Sequence, residues 1–222
     1  MMFDGLQRGH YGTLLADPPW RFSTYSAKGR DRCPDGIRAT RSRDGYYRDG
    51  QRCNRPERHY ATMTLDEIKA LPVAELAAKD CILFLWAVDP MLPEAFEVGR
   101  AWGFTYKTVA FYWVKERRVT SNRHKLHEDQ NHKRFPIGTG YWTRSNPEQC
   151  LLFTRGHPKR LSAAVRKLII EPRREHSRKP DRLKPDIERL VAGPFLELFS
   201  RESRQGWDCC GDQVGQFAEA AE

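Results

Sequence analysis

YGTLLADPPW, residues 11–20, is a short apolar run that ends abruptly in an acidic residue, two prolines and a tryptophan. The prolines cannot continue a central strand or a helix, so we predict a buried strand over 11–16 that stops there. In an open α/β sheet, ligands bind beyond the carboxyl ends of the strands. The pattern therefore puts a carboxylate (Asp17), a rigid turn (Pro18, Pro19) and an indole (Trp20) where a ligand would bind.

Further apolar runs predict the other strands and the helices between them. CILFLWAV (81–88) is apolar throughout, which is typical of a strand buried on both faces. Thr64 and Glu67 form a capping-box pattern at a helix start. Other strands are predicted at 104–116, 149–155 and, as the last one, 195–201, and helices at 93–102 and 181–191. This alternation predicts an α/β fold with a mostly parallel sheet and helices on both faces.

Charge is unevenly distributed along the 222-residue chain, whose net charge is +9. Residues 21–59 hold eleven basic and five acidic residues, with almost no aliphatic ones. We therefore expect one domain over 1–222 that carries a basic loop at about 23–58 and a second basic insertion at about 117–147. The excess charge suits a polyanionic partner, although a merely soluble basic protein would also show it.

The cysteines and histidines do not form a metal-binding pattern. Six cysteines lack CxxC pairs, and His124, His127 and His132 lie in the polar second insertion, so we expect no metal site. We also expect a cytoplasmic protein with reduced thiols, without a signal peptide. The longest apolar run is far below the ~20 residues that span a bilayer.

The DPPW stretch suits the methylation of adenine's 6-amino group. That nitrogen is a poor nucleophile, because its lone pair is delocalised, and acceptors for its two N–H groups would favour attack. The Asp17 carboxylate and the Pro18 carbonyl can be those acceptors, Pro19 fixes the turn, and the face of Trp20 can stack on an extruded base. The alternative is a strand-ending turn with a core tryptophan.

A resemblance distributed over most of the chain bears on this choice. The chain resembles the β-class adenine-N6 methyltransferases, the family that includes the catalytic subunit of the messenger-RNA adenine methyltransferase and many bacterial and phage relatives. The stretches that carry the resemblance are LLADPPW (14–20), HYATMTLDEIKALP (59–72), ILFLWAV (82–88), GF…YWVK (103–115), GYW…NPEQCLLFTRG (140–156), EHSRKPD (175–181), IERL (187–190) and ELFSR…GW…GDQ (197–213). The part that it leaves uncovered is mainly 23–58.

The resemblance implies a fold, a cofactor and roles for individual residues. The fold would be a Rossmann-like S-adenosylmethionine-dependent methyltransferase fold in circularly permuted order, with the catalytic motif before the cofactor motif. Asp17, Pro18, Pro19 and Trp20 would be the catalytic motif, with Asp17 also facing the amino group of S-adenosylmethionine. Lys179 would hold the methionine carboxylate of the cofactor, and its ribose and adenine end would lie among Glu197, Arg201, Asp212 and Gln213. Tyr60, Trp20 and Arg21 would contact the substrate.

The residues themselves leave some of these roles open. Lys179 alone could be an exposed lysine at a helix start, and Tyr60 could be a phenol at the edge of the core. Glu197 lies between two leucines at a strand end, where burying an unpaired charge is expensive, so it needs a partner. Many family members carry asparagine at the position of Asp212, and the segment before the first strand, with Phe3 and Asp4, is short for the usual contacts to the cofactor's adenine.

Four functions remain in view. We favour an adenine-N6 methyltransferase acting on DNA over one acting on RNA, because the chain is small and its sequence has no appended RNA-binding zinc fingers. A catalytically inactive nucleic-acid-binding relative is a different class, but such relatives tend to lose DPPW, which is intact here. Methylation of free adenine nucleotides is the fourth. We also expect a homodimer or a partner methyltransferase-like subunit, since family members often work as pairs.

Overall fold

The first predicted strand, β1 (Tyr11–Ala16), lies inside a seven-stranded mixed sheet. A computed structural model of the chain describes residues 3–21, 62–117, 134–138, 142–174 and 178–215. The predicted basic loop at 23–58, Tyr60, the three histidines and most of the second insertion lie outside the described residues.

The six other strands are β2 (Ala77–Ala87), β3 (Thr105–Glu116), β4 (Glu148–Arg155), β5 (Leu168–Pro172), β6 (Phe195–Leu198) and β7 (Trp207–Cys210), and the order across the sheet is β5-β3-β4-β2-β1-β6-β7. β1 runs parallel to both its neighbours, β2 and β6. β4 is antiparallel to β2 and β3, whereas the remaining pairs are parallel. The α/β prediction is confirmed, and the sheet is of the Rossmann-like type. The circular permutation stays a prediction.

Helices cover both faces of the sheet, as predicted. Side chains that alternate along β1 and β2 enter two separate cores: Leu14 and Leu83 pack with one, Leu15 and Phe84 with the other. The first core also holds residues of α1 (Leu65–Lys69), α2 (Val73–Leu76) and α3 (Leu92–Ala101). The second holds residues of α4 (Leu183–Leu190). Because successive strand residues point to opposite faces, an all-apolar strand serves both cores.

Local sequence signals set the helix ends close to where they were predicted. Thr64 accepts a hydrogen bond from the backbone N–H of Glu67, whose side chain accepts one in return from the backbone N–H of Thr64, so the capping box at α1 is confirmed. A 3₁₀ turn at Asp89–Met91 leads into α3, which has a proline in its first turn. The chain leaves α3 through Gly103, whose φ of +82° is accessible to glycine.

Three elements differ from the predictions. β5 and the short α2 were not predicted, and 195–201 is not the last strand, because β7 follows it. β6 also ends early, at Leu198, since Phe199 adopts a φ of 62° that no strand continues. β5 and β7 are short strands at the two edges of the sheet. Neither contains more than three consecutive apolar residues, which is too short a run to predict a strand from the sequence.

Within the described part of the chain, no helix is both long enough and apolar enough to cross a membrane.

Candidate active site

The carboxyl ends of β1, β2 and β6 meet at one edge of the sheet. Ala16 pairs with Leu85 of β2 and with Leu198 of β6, so the residues that follow these three lie side by side. They border a cleft of about 180 Å³ whose lining includes Asp17, Trp86, Lys179, Lys184, Glu197 and Arg201. Two parallel strands beside each other thus deliver an aspartate and a glutamate to the same cleft, where α/β folds bind ligands.

Asp17 belongs to a chain of alternating charges. Lys179 Nζ lies 2.8 Å from Asp17 Oδ2 and 3.2 Å from Glu148 Oε2, and Lys115 Nζ lies 2.6 Å from Glu148 Oε1. The Lys179 ammonium also stands 5.1 Å from the centre of the Trp86 ring. The lysine is therefore not the exposed helix-start residue that its sequence position allowed, since only 17% of its side chain is exposed.

Burial and these ion pairs compete in setting the pKa values. Burial raises the pKa of Asp17 above its ordinary value, and the nearby Lys179 ammonium opposes that rise. Burial would also raise the pKa of Glu148, but Lys179 and Lys115 together lower it to about 2. Burial disfavours the Lys179 ammonium, yet the two carboxylates beside it raise its pKa, so Lys179 stays charged at neutral pH.

Glu197 is held by partners that all reach the same carboxylate oxygen. Lys184 Nζ lies 2.8 Å from its Oε2, the Ser200 hydroxyl donates to Oε2 at 2.6 Å, and the Cys209 thiol lies 4.0 Å from it. Lys184 is also 3.3 Å from a carboxylate oxygen of Glu202. The prediction that Glu197 needs a partner is confirmed, and the partner is a lysine of α4.

Backbone geometry at the end of β6 is unusual. Phe199 adopts a φ of 62°, which costs a non-glycine residue free energy and is tolerated where neighbours enforce it. The Ser200 N–H donates to the carbonyl of Cys210 at 2.9 Å, which fastens this turn to the end of β7. A Cβ on Gly211 would lie 2.5 Å from the Ser200 carbonyl oxygen, so the approach of the two segments requires glycine.

The DPPW motif is anchored in the core. Trp20 is 3% exposed, and its indole N–H donates to the carbonyl of Trp86 at 3.1 Å. In this arrangement the ring has no open face for a base, which differs from the stacking role expected of it and agrees with the core alternative. The Pro18 carbonyl accepts the Trp20 N–H at 2.7 Å, and the Pro19 carbonyl accepts the Met63 N–H at 3.0 Å.

The remaining sequence-predicted site residues divide into two groups. Arg201 lines the cleft with Asp17, Lys179 and Glu197. Asp212 and Gln213 follow β7, one strand further out, and are not among the residues that line the cleft. Arg21 is exposed directly after the motif, and Tyr60 lies outside the described residues.

Sequence reasoning missed Glu148, Lys115 and Lys184 as site residues. Glu148 and Lys115 lie within the resembling stretches NPEQC and YWVK, so a signal was present for both. Lys184 looked like one of several charges in RKPDRLK (178–184), and only the fold shows that its side chain is buried. The described residues contain no cluster of histidine, cysteine and acidic side chains that could hold a metal ion.

Comparison with known proteins places the chain among methyltransferases. The MT-A70 family model matches residues 11–213. The Type II methyltransferase M.MunI from a Mycoplasma species is 31% identical over 216 residues, which are 96% of this chain and 82% of that protein. A probable N(6)-adenosine-methyltransferase MT-A70-like protein of Oryza sativa is 28% identical over 93% of this chain and 23% of its own length.

The human N(6)-adenosine-methyltransferase catalytic subunit METTL3 is 25% identical over 93% of this chain and 28% of its own length. The chain thus spans most of the bacterial protein and about a quarter of the plant and human ones.

Proposed function

The chain belongs to the MT-A70 family, and from that premise we propose that it methylates the 6-amino group of adenine in DNA. It is an adenine-N6 methyltransferase whose methyl donor is S-adenosylmethionine. The observation that carries the assignment of its site is the Asp17–Lys179 ion pair, which opens onto a cleft at the carboxyl ends of parallel strands.

The charged groups of the cleft fit the methionine end of the donor. That end carries one ammonium and one carboxylate, and the cleft presents a carboxylate (Asp17) and an ammonium (Lys179) 2.8 Å apart. We assign the donor's carboxylate to Lys179 and its ammonium to Asp17. Glu148 holds Lys179 in place and, together with Asp17, keeps it charged, while Lys115 pairs with the other oxygen of Glu148. When bound, the donor supplies a methyl group on a positively charged sulfur.

Two further residues of the cleft lining suit the nucleoside part of the donor. Glu197 lies near the end of β6, and Arg201 follows four residues further on. We assign the ribose hydroxyls to Glu197, because a carboxylate has two acceptor oxygens and, among the described residues, Lys184 and Ser200 both contact Oε2. Asp212 and Gln213, which follow the neighbouring strand, are assigned to the adenine end.

Asp17 and Pro18 receive the amine of the target base. The ion pair with Lys179 uses Oδ2 of Asp17, so we assign the first N–H of the amine to Oδ1. The Pro18 carbonyl already accepts the Trp20 N–H, but a carbonyl oxygen has two lone pairs and can accept the second N–H of the amine. These acceptors stabilise the positive charge that develops on the nitrogen during attack.

Trp20 contributes as an anchor in this proposal. Its hydrogen bond to the Trp86 carbonyl fixes the DPPW turn to β2, which sets the position of Asp17 relative to Lys179. Tyr60 and Arg21 remain the proposed contacts to the base and its flanking phosphates. We further propose a cytoplasmic location, supported by the free thiols of all four cysteines in the described residues, and action as a homodimer or with a related subunit.

The choice of DNA is supported by sequence identity. The chain is 31% identical to a type II methyltransferase and 25–28% identical to the plant and human proteins named N(6)-adenosine-methyltransferases. Its net charge of +9 favours a polyphosphate partner.

A substrate panel tests this proposal. Labelled S-adenosylmethionine is offered with duplex DNA, single-stranded DNA, RNA and free adenine nucleotides in parallel, and the modified base is identified by mass spectrometry. N6-methyladenine in DNA is the expected result. N6-methyladenine confined to RNA or to free nucleotides would contradict the choice of DNA. A chain that neither transfers the methyl group nor binds the cofactor would favour an inactive nucleic-acid-binding relative.

A further inference from the structure

Lys184 is a buried cation that the proposed chemistry does not use. It lies in the first turn of α4, and 8% of its side chain is exposed. Its ammonium is 2.8 Å from Oε2 of Glu197 and 3.3 Å from Oε1 of Glu202, and it stands 5.8 Å from the centre of the Trp207 ring. Burying the ammonium of a lysine costs free energy, so its burial requires an oppositely charged partner.

The partners of Glu197 are distributed asymmetrically. Lys184, the Ser200 hydroxyl and the Cys209 thiol all reach Oε2. None of these three described groups contacts the other carboxylate oxygen, Oε1. Since the side chain is still 18% exposed and lines the cleft, Oε1 is the oxygen that can face a ligand.

We propose that Lys184 is a positioning residue, which anchors one oxygen of Glu197 so that the other is presented to the ribose hydroxyls of the donor. This inference rests on the proposed function, in which Glu197 holds the ribose. A carboxylate that is free to rotate would lose conformational entropy on binding, whereas one fixed at Oε2 is already oriented. Lys184 also favours the ionised form of Glu197, because burial raises the pKa of Glu197 and the lysine ammonium opposes that rise.

Ser200 supports the same oxygen from the other side. Its hydroxyl lies 2.6 Å from Glu197 Oε2 and 2.7 Å from the backbone carbonyl of Glu202. The position of Ser200 is fixed in turn by its backbone hydrogen bond to Cys210. The orientation of Glu197 therefore depends on α4, on the turn after β6 and on β7 together.

The test compares ligands that differ only in the ribose. S-adenosylhomocysteine and its 2′-deoxy and 3′-deoxy analogues are titrated calorimetrically into the wild-type chain and the Lys184→Met variant. A hydrogen bond to a charged group predicts that the wild type binds the parent ligand about 10-fold to 100-fold more tightly than the deoxy analogues. In Lys184→Met this ratio should fall to about 3-fold or less, and affinity for the parent ligand should decrease as pH is lowered over a range where the wild type is constant.

Two further variants keep the result interpretable. Lys184→Arg should restore discrimination between the ligands, because it returns a cation to the same place. Ser200→Ala removes the other donor to Oε2 without leaving a buried charge unpaired, and it should reduce discrimination by about 3-fold even if Lys184→Met does not fold. Lys69→Met is the matched control: it breaks the 3.3 Å pair with Glu97, away from the cleft, and should leave the ligand ratio unchanged.

The outcomes separate this inference from the function on which it rests. Folded Lys184→Met that discriminates as the wild type does would overturn the positioning role, as would Ser200→Ala with an unchanged ratio. A wild-type chain that binds all three ligands equally would overturn the assignment of the ribose to Glu197, and with it the role of Lys184. None of these results depends on which nucleic acid is methylated, which the substrate panel measures separately.

Discussion

At the scale of single residues, the site is a set of ion pairs that no short stretch of sequence reveals. The charges of Asp17, Lys179, Glu148 and Lys115 alternate along the ion pairs. In the sequence they are far apart: Asp17 directly follows β1, Lys179 precedes α4, and the other two lie in β4 and β3. Each charged side chain is only partly exposed and lies beside an opposite charge, so the removal of one partner leaves the next without that ion pair. The ionisation of Asp17 consequently depends on all four charged residues together.

Lys179→Met tests that dependence through pH. Asp17 must be ionised to accept the amine, so kcat/KM should be present above its pKa and lost as pH falls through it. Burial raises this pKa and Lys179 opposes the rise. The variant should therefore lose activity at a pH higher than the wild type by about one pH unit or more. The Lys69→Met variant is measured in parallel as a control. If the acid limb of the kcat/KM profile does not move in Lys179→Met, Lys179 does not set the pKa of Asp17.

At the scale of elements, long apolar runs were predictable and tertiary contacts were not. β1 to β4 were predicted because each contains a run of consecutive apolar residues in the sequence, and α1 because Thr64 and Glu67 form a local capping box. β7 has four residues, and its place beside β6 depends on the close approach of Gly211 to the turn at Ser200. The roles of Lys179 and Glu197 came from the resemblance, whereas the partners of both are set by the fold.

Gly211→Ala tests how closely β7 and the end of β6 must approach. The added methyl group would meet backbone atoms of Ser200 at 2.5 and 2.8 Å, and a backbone obstacle cannot rotate away. We expect a loss of about 1–3 kcal/mol in the free energy of unfolding and weaker binding of S-adenosylhomocysteine.

Thr64→Ala is the control for that experiment. It removes the cap of α1, away from the cleft, and should cost about 1 kcal/mol of stability without changing ligand affinity. Denaturant unfolding measures the stability of both variants, and calorimetry measures their affinity for S-adenosylhomocysteine. Equal ligand affinity in Gly211→Ala and the wild type would show that the β6–β7 approach serves stability alone.

At the scale of the whole molecule, the sheet places the candidate site at one edge, and the chain carries a net charge of +9. Binding to a nucleic acid should weaken steeply with salt, by close to one unit of log affinity per log salt for each phosphate contacted. Fluorescence anisotropy of a labelled duplex over a salt series measures that slope. A salt-independent affinity would be incompatible with phosphate contacts as the main source of binding.

The most direct test of the central claim is single-turnover methyl transfer by Asp17→Asn, with cofactor occupancy measured on the same preparation. The substitution preserves the shape of Asp17 and removes its negative charge. We expect that Asp17→Asn still folds and can be saturated with S-adenosylmethionine, and that it transfers the methyl group at least about 100-fold more slowly than the wild type. A saturated variant that methylates adenine at the wild-type rate would exclude the Asp17 carboxylate from the chemical step.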